Sequence, residues 1–332
     1  MSESHTNTAA DDISSTYALF QQPWWLDAVA PGEWSAVEVQ SNGVVTGRLP
    51  FRTKRVHGLT VATMPPLTPV LGPWIRPHTG RTLARISEEN AILEALVEQV
   101  PRLDLFRHAC APDVSNCLPF LWHDFDVALS YTYRLDDLSD LDRVWKEMRD
   151  TTRQTVRKAE KTVGLRTDIS IERLFTVLES TFVRQGLSAP FTLDFLKRID
   201  AACVPRGRRR VFAAEDAQGR VHAVAYIVWD DRAAYYLLGG GDPELRRSGA
   251  QAFVLWEAIR FAQTVTKCFD FEGSVMRPIE QFFRGFGGRL TPYAIVTRMS
   301  ARMRLMYGAR DAFRSVASRM TKREAVRPTG TT

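Results

Sequence analysis

The stretch from Arg209 to Met299 constrains the fold more than any other part of the chain. Two strand-like runs, Arg209–Asp216 and Arg220–Asp230, flank the turn Ala217–Gly219, and a third, Ala233–Gly241, follows them. Short apolar runs rich in β-branched and aromatic residues and bounded by turn residues predict antiparallel strands. A helical pattern from about Ala250 to Thr266 leads into a strand at Lys267–Gly273. A helix at Ile279–Phe286 and a strand at Pro292–Met299 complete the segment. Antiparallel strands feeding a helix and then another strand specify an α+β architecture with a sheet of mixed direction.

The first half reads in the same style. Trp34–Gln40 and Val44–Lys54 alternate around Ser41-Asn42-Gly43, an Asn-Gly pair suited to the positive φ of a tight hairpin turn. The proline-rich run Met64–Trp74 cannot be helical and predicts an ordered loop that lines something. Apolar spacing at Ile92, Leu93, Leu96 and Val100 predicts a helix over Glu88–Val100. Strands are expected at Leu103–Ala109 and Asp126–Leu135, and one long helix from a Ser139 cap to Gly164. Helices are also expected at Ile171–Gly186 and Leu193–Val204. The expected division is a disordered tail at 1–15, a mixed α/β module at 16–138, a connecting helix at 139–164, a second module at 165–299 and a basic helix and tail at 300–332.

With 332 residues, the chain is long enough for two such modules and a core that needs no disulfides. Its four cysteines show no Cys-x-x-Cys spacing, and no Cys/His cluster imitates a metal site, so no metal is expected. The polar, acidic start and the lack of any run of about 18 apolar residues predict a cytoplasmic protein without a membrane span. The histidines, His123 and His222 among them, sit at no ligand or triad spacing.

The net charge of +6 is concentrated rather than spread. Arg149, Arg153, Arg157 and Lys161 fall at steps of four, so a continuous helix would stack them on one face, as an extended phosphate backbone requires. Glu147, Asp150 and Glu160 dilute that stripe, and a solvated face is the competing reading. Arg206, Arg208, Arg209 and Arg210 form a second basic run, and Arg302, Arg304, Arg310, Arg314 and Arg319 a third. The segment Arg246-Arg247-Ser248-Gly249-Ala250 opens a helix, where free N–H groups and the helix dipole favour an anion. In Phe269–Ser274, alternation puts Asp270 and Glu272 on one face, costly to bury unless paired or used; Arg277 and Arg284 are the partners at hand. Tyr235 and Tyr236 point to opposite faces, so one of them is a core or pocket residue.

The order and spacing of Thr181–Gly186, Ala233–Ile259, Phe269–Ser274 followed by Ile279–Gly288, and the closing Pro292-Tyr293 resemble the Fem-type branch of the GNAT acyltransferase superfamily, built from tandem GNAT-like modules. The first half adds Gln22–Val29 and Pro65–Trp74 to the resemblance. It implies acyl transfer without a tightly bound cofactor. The donor it implies is aminoacyl-tRNA, as in Fem proteins, which join an amino acid to a small amine acceptor; acetyl-CoA or another acyl-CoA is the alternative. It also implies Glu272, Tyr293 and Arg284 as catalytic, and Arg184, Gln185, Tyr236, Asp270 and Ser274 as substrate contacts. Arg246 to Ala250 correspond to the pyrophosphate loop, although Gln251 replaces its last small residue. Arg149, Arg153, Arg157 and Lys161 become the tRNA contacts.

Overall fold

A computed structural model describes residues 16–77, 81–184, 188–273 and 276–306. The N-terminal tail, most of the C-terminal basic segment, Gln185 and Ser274 lie outside the described residues.

Helix α1 (Pro23–Val29) opens with proline at a first-turn position, where its missing N–H costs nothing, and buries Trp25 and Leu26 completely. Strands β1 (Trp34–Ser41) and β2 (Val44–Val56) form the expected hairpin, with Asn42 at φ 52° and Gly43 at φ 76°. Strands β3 (Leu59–Ala62) and β4 (Trp74–Ile75), helix α2 (Thr82–Gln99), strand β5 (Leu105–Ala109), helix α3 (Leu118–Trp122) and strand β6 (Asp126–Leu135) complete the first half. Helices α4 (Leu141–Glu147) and α5 (Asp150–Ala159) follow, then strand β7 (Gly164–Arg166) and helices α6 (Ile171–Arg184) and α7 (Leu193–Cys203). The chain continues through β8 (Arg209–Glu215), β9 (Val221–Trp229), β10 (Ala234–Gly241), α8 (Ala250–Ala262), β11 (Phe269–Asp270), α9 (Arg277–Arg284) and β12 (Arg289–Met299).

One mixed sheet holds them in the order β1-β2-β3-β5-β12-β6-β11-β10-β9-β8-β7, with β4 beside β2. Pairing is parallel at β3/β5 and β10/β11 and antiparallel elsewhere. The last strand does not close the sheet of the second half, as its position in the sequence suggested. β12 inserts between β5 and β6, both from the first half, and β6 in turn pairs with β11. Alternation identified β12 as a strand but carries no information about its partners, which the packing of both faces selects.

On one face, Trp256, Phe269, Phe271, Phe283 and Phe286 build a core with α8 and α9, and Leu93, Leu96 and Phe106 build another under α2. On the opposite face, Phe20, Trp25, Leu174, Ile199, Tyr226 and Tyr235 join α1, α6 and α7 to the sheet. Every residue of β9 is buried. That is why its sequence is a nearly unbroken apolar run rather than an alternating one.

The single helix expected over 139–164 is two. Asp140, not Ser139, caps α4 by accepting the Arg143 N–H at 2.9 Å. At Met148 and Arg149 the backbone turns extended, with ψ of 147° and 139°. The reason is packing: Met148 is buried, the Arg149 N–H donates to the Gly285 carbonyl, and Gly287 sits so close to Glu147 that a Cβ there would lie 2.8 Å from the Glu147 carbonyl. Helical periodicity across the break is therefore local to each piece.

Candidate functional site

The candidate site lies where β10 and β11 part. They pair only at Ala234 with Phe269 and Tyr235 with Asp270; β10 then continues to Gly241 while β11 stops. Past Asp270 the chain enters left-handed backbone at Glu272 (φ 62°) and Gly273 (φ 60°). Gly273 must be glycine, because an added Cβ would stand 2.2 Å from the Tyr131 carbonyl oxygen. For Glu272 the same conformation costs about 1–2 kcal/mol, which the surroundings must offset.

Asp270 is buried and well partnered. Its Oδ1 accepts from the Thr132 hydroxyl at 2.5 Å and from the Glu272 N–H at 2.9 Å, and Arg134 Nε lies 3.7 Å from Oδ2. Burial raises its carboxyl above the ordinary range, while Thr132, the Glu272 N–H and Arg134 act in the opposite sense. Glu272 is different. Its Oε1 is shut from solvent and has no hydrogen-bond partner among the described residues. Burial, reinforced by the neighbouring Asp270 carboxylate, raises its carboxyl well above the usual range.

Both acids line one cavity with Thr132, Tyr235, Tyr293, Pro69, Val70 and Pro112, with room for about one water molecule (about 20 Å³). The proline-rich loop thus walls the cavity, as expected. Tyr235 holds its proton far above the ordinary tyrosine range, first through burial and then through the carboxylates Asp230, Asp270 and Glu272. A strained carboxyl whose Oε1 has no partner among the described residues, a second acid whose Oδ1 accepts two hydrogen bonds and two phenols share one small space. Such an arrangement can take a proton from a nucleophile and return one to a leaving group.

Residues 146–284 match the family described as the acetyltransferase (GNAT) domain. That stretch is similar to a GNAT acyltransferase domain. Among solved structures, FemX superimposes with a TM-score of 0.65 at 14% identity, covering 89% of this chain and 97% of that one. L-PGS from Bacillus licheniformis gives 0.50 at 11% identity, covering 84% and 89%. The C-terminal domain of a candidate lysylphosphatidylglycerol synthetase from Agrobacterium fabrum gives 0.55 at 12%, covering 90% and 93%. At these identities the likeness is one of fold. Comparison with curated protein sequences finds no match.

The residues singled out from sequence divide into groups within this GNAT-like fold. Asp270, Glu272 and Tyr293 come together in the cavity. Arg284 does not line it; its Nε lies 3.2 Å from Glu280, which also accepts the Tyr133 hydroxyl. Neither Arg284 nor Arg277 pairs with Asp270; Arg134 does so from β6, a neighbour visible only once the strand order is known. Tyr236 is on the opposite face from the cavity, in the core, where its hydroxyl accepts from Gln251 Nε2 at 2.7 Å. Its neighbour Tyr235 is the cavity residue. Arg184 is the last residue of α6, at the helix end where the sequence put it.

The loop Arg246–Ala250 is a 3₁₀ turn leading through Gly249 (φ 78°) into α8. Several of its N–H groups are used internally: Ser248 donates to Leu245, Gly249 to Arg246, Ala250 to the Ser248 hydroxyl and Ala252 to Gly249. The Thr155 methyl would meet a Cβ on Gly249 at 2.5 Å, and Lys158 Nζ donates to the Arg247 carbonyl at 3.0 Å, so α5 is packed on the loop. The four-residue stripe is not continuous. Arg149 is the α5 N-cap and Lys161 follows its C-cap, Arg153 folds back to donate to the Lys146 carbonyl at 2.8 Å, and Arg157 lies over the Trp145 ring. Lys158, Arg246 and Arg247 instead form an exposed basic patch across α5 and the loop. No helix among the described residues is long and apolar enough to cross a membrane, and none of their His, Cys, Asp and Glu side chains cluster to hold a metal.

Proposed function

We propose that the protein moves an amino acid from aminoacyl-tRNA to a small amine, forming an amide bond. The observation that carries this reading is the largely self-bonded loop. A coenzyme diphosphate needs unengaged N–H groups at a helix start, and here Ser248, Gly249, Ala250 and Ala252 already donate within the loop while Thr155 covers Gly249. The basic patch of Lys158, Arg246 and Arg247 sits on the same surface, suited to an extended phosphate backbone. The FemX-like fold supports the same choice.

In this reading the amine nitrogen attacks the ester carbonyl carbon, a C–N bond forms and the ester C–O bond breaks. Glu272 takes the proton lost by the amine, and a phenol, Tyr293 or Tyr235, supplies one to the departing ribose oxygen. The high affinity of Glu272 for a proton makes it a strong base once ionised. The ester is already activated, so alignment of the reactants supplies most of the rate.

Acyl-CoA as donor is the second reading, favoured by the match to the acetyltransferase domain family. The two separate on treatment with ribonuclease. Under the first, product formation from a charged tRNA pool is abolished; product formation from acetyl-CoA that survives ribonuclease selects the second.

A further inference from the structure

We propose that Asp270 is a positioning residue: its buried carboxylate, fixed by Thr132 and Arg134, accepts the Glu272 N–H and so holds Glu272 in the left-handed turn that presents its carboxyl to the cavity. This goes beyond the role of substrate contact that the sequence implied for Asp270, and it rests on the proposed role of Glu272 as base.

The geometry leaves Asp270 little capacity for a substrate. Oδ1 already accepts two hydrogen bonds, one from Thr132 and one from the Glu272 N–H, and Oδ2 faces Arg134. The bond to residue i+2 is an Asx turn, a local arrangement by which a short acidic side chain imposes a turn on its own backbone. Here the turned residue is Glu272, and the next residue, Gly273, is wedged against the Tyr131 carbonyl. The strand end is thus clamped on both sides of Glu272. Arg134 is itself held, donating from Nε and Nη2 to Cys268 Sγ at 3.3 and 3.1 Å, with Asp136 3.8 Å from its Nε.

The clamp also sets the charge around Glu272. Lining the cavity with it are Asp270 and Tyr235 from the two parting strands, Tyr293 from β12 and Thr132 from β6, while Arg134 of β6 approaches Asp270; the loop residues Pro69, Val70 and Pro112 bring no charge. Among the described residues in this group, Asp270 is the other carboxylate, and it favours the protonated form of Glu272. One residue therefore controls both where the base stands and when it ionises, and the two effects separate by substitution. Asp270→Asn keeps an oxygen that accepts from Thr132 and from the Glu272 N–H but removes the charge. Asp270→Ala removes both. Thr132→Val loosens the carboxylate without touching Glu272 directly.

The test combines ¹³C-carboxyl NMR titration of Glu272, assigned by comparison with Glu272→Gln, with steady-state kinetics on a pool of labelled aminoacyl-tRNAs and a mixed amine pool. In Asp270→Asn, Glu272 is expected to titrate at lower pH, the acid limb of the pH–kcat profile to move with it, and kcat at its optimum to stay within about tenfold of wild type. In Asp270→Ala, kcat is expected to fall about 100-fold with KM for the donor little changed, since displacing a reacting group by about 1 Å costs that much. Thr132→Val is expected between the two. The proposal is overturned if Glu272 titrates identically in wild type and Asp270→Asn, or if Asp270→Ala is as active as Asp270→Asn. Should Asp270→Ala not fold, Thr132→Val with unchanged kcat and unchanged titration overturns it equally. A fully active Glu272→Gln would remove the base role alone, and the titration would still decide whether Asp270 governs Glu272.

Discussion

Replacing Glu272 by glutamine should make the protein more stable and less active, and the structure sets the size of the gain. In the folded protein the Glu272 carboxyl is buried beside Asp270 and holds its proton well above the ordinary range; in the unfolded chain it ionises near pH 4.3. The native state therefore binds more protons than the unfolded state once pH exceeds that value. The stabilising contribution of the proton is complete below the unfolded pKa and is lost as pH rises toward the folded one, at up to about 1.4 kcal/mol per pH unit. Glutamine cannot ionise, so the variant lacks this slope. The unpartnered Oε1 adds a desolvation cost of about 1–3 kcal/mol, part of which the amide retains. Near pH 8 the net gain should be about 1–3 kcal/mol, read as a higher urea midpoint at unchanged m-value. At pH 4 wild type and variant should differ little. Equal pH slopes for the two proteins, or a less stable variant at pH 8, would refute the reasoning about the site's electrostatics.

Other outcomes follow from the same physics. His108 is fully buried with neither ring nitrogen partnered among the described residues, and burial lowers its pKa to about 3. The unfolded chain takes up that proton near pH 6.5, so stability falls as pH drops below that point, and urea melts of His108→Leu should show a flatter loss, by about 2 kcal/mol at pH 5. Gly273→Ala places a Cβ 2.2 Å from the Tyr131 carbonyl, in backbone that only glycine adopts freely, and should cost about 2 kcal/mol or more of stability together with activity in the donor assay. Reversing charge at Lys158 and Arg247 should weaken tRNA binding with little effect on melting. It should also lower the salt slope of log K by about one for each phosphate no longer neutralised, measured by filter binding across a salt series.

The second half was legible because its strands and helices alternate in long, cleanly bounded runs. Val221–Trp229 and Ala250–Ala262 could hardly be anything else, and the Asn42-Gly43 turn announces its hairpin. Three things were not legible, each for a physical reason. The break at Met148 depends on Gly285 and Gly287, far along the chain, pressing against the end of α4, and no local propensity encodes that packing. The insertion of β12 between β5 and β6 is a choice of partner, and alternation is blind to partners. The choice of Tyr235 over Tyr236 turned on which face of β10 holds the cavity. Within the site, the pairing of Asp270 and Glu272 was readable from their spacing. Their division into one partnered and one orphaned acid was not, because it rests on Thr132 and Arg134 from a strand more than a hundred residues earlier.

Donor identity is decided most directly by giving the purified protein labelled acetyl-CoA and a mixed pool of labelled aminoacyl-tRNAs in parallel, with a pool of small amines, and following which label enters an amide. We expect label from aminoacyl-tRNA, eliminated by ribonuclease and strongly reduced in Glu272→Gln. Label entering only from acetyl-CoA, insensitive to ribonuclease, would contradict the tRNA reading.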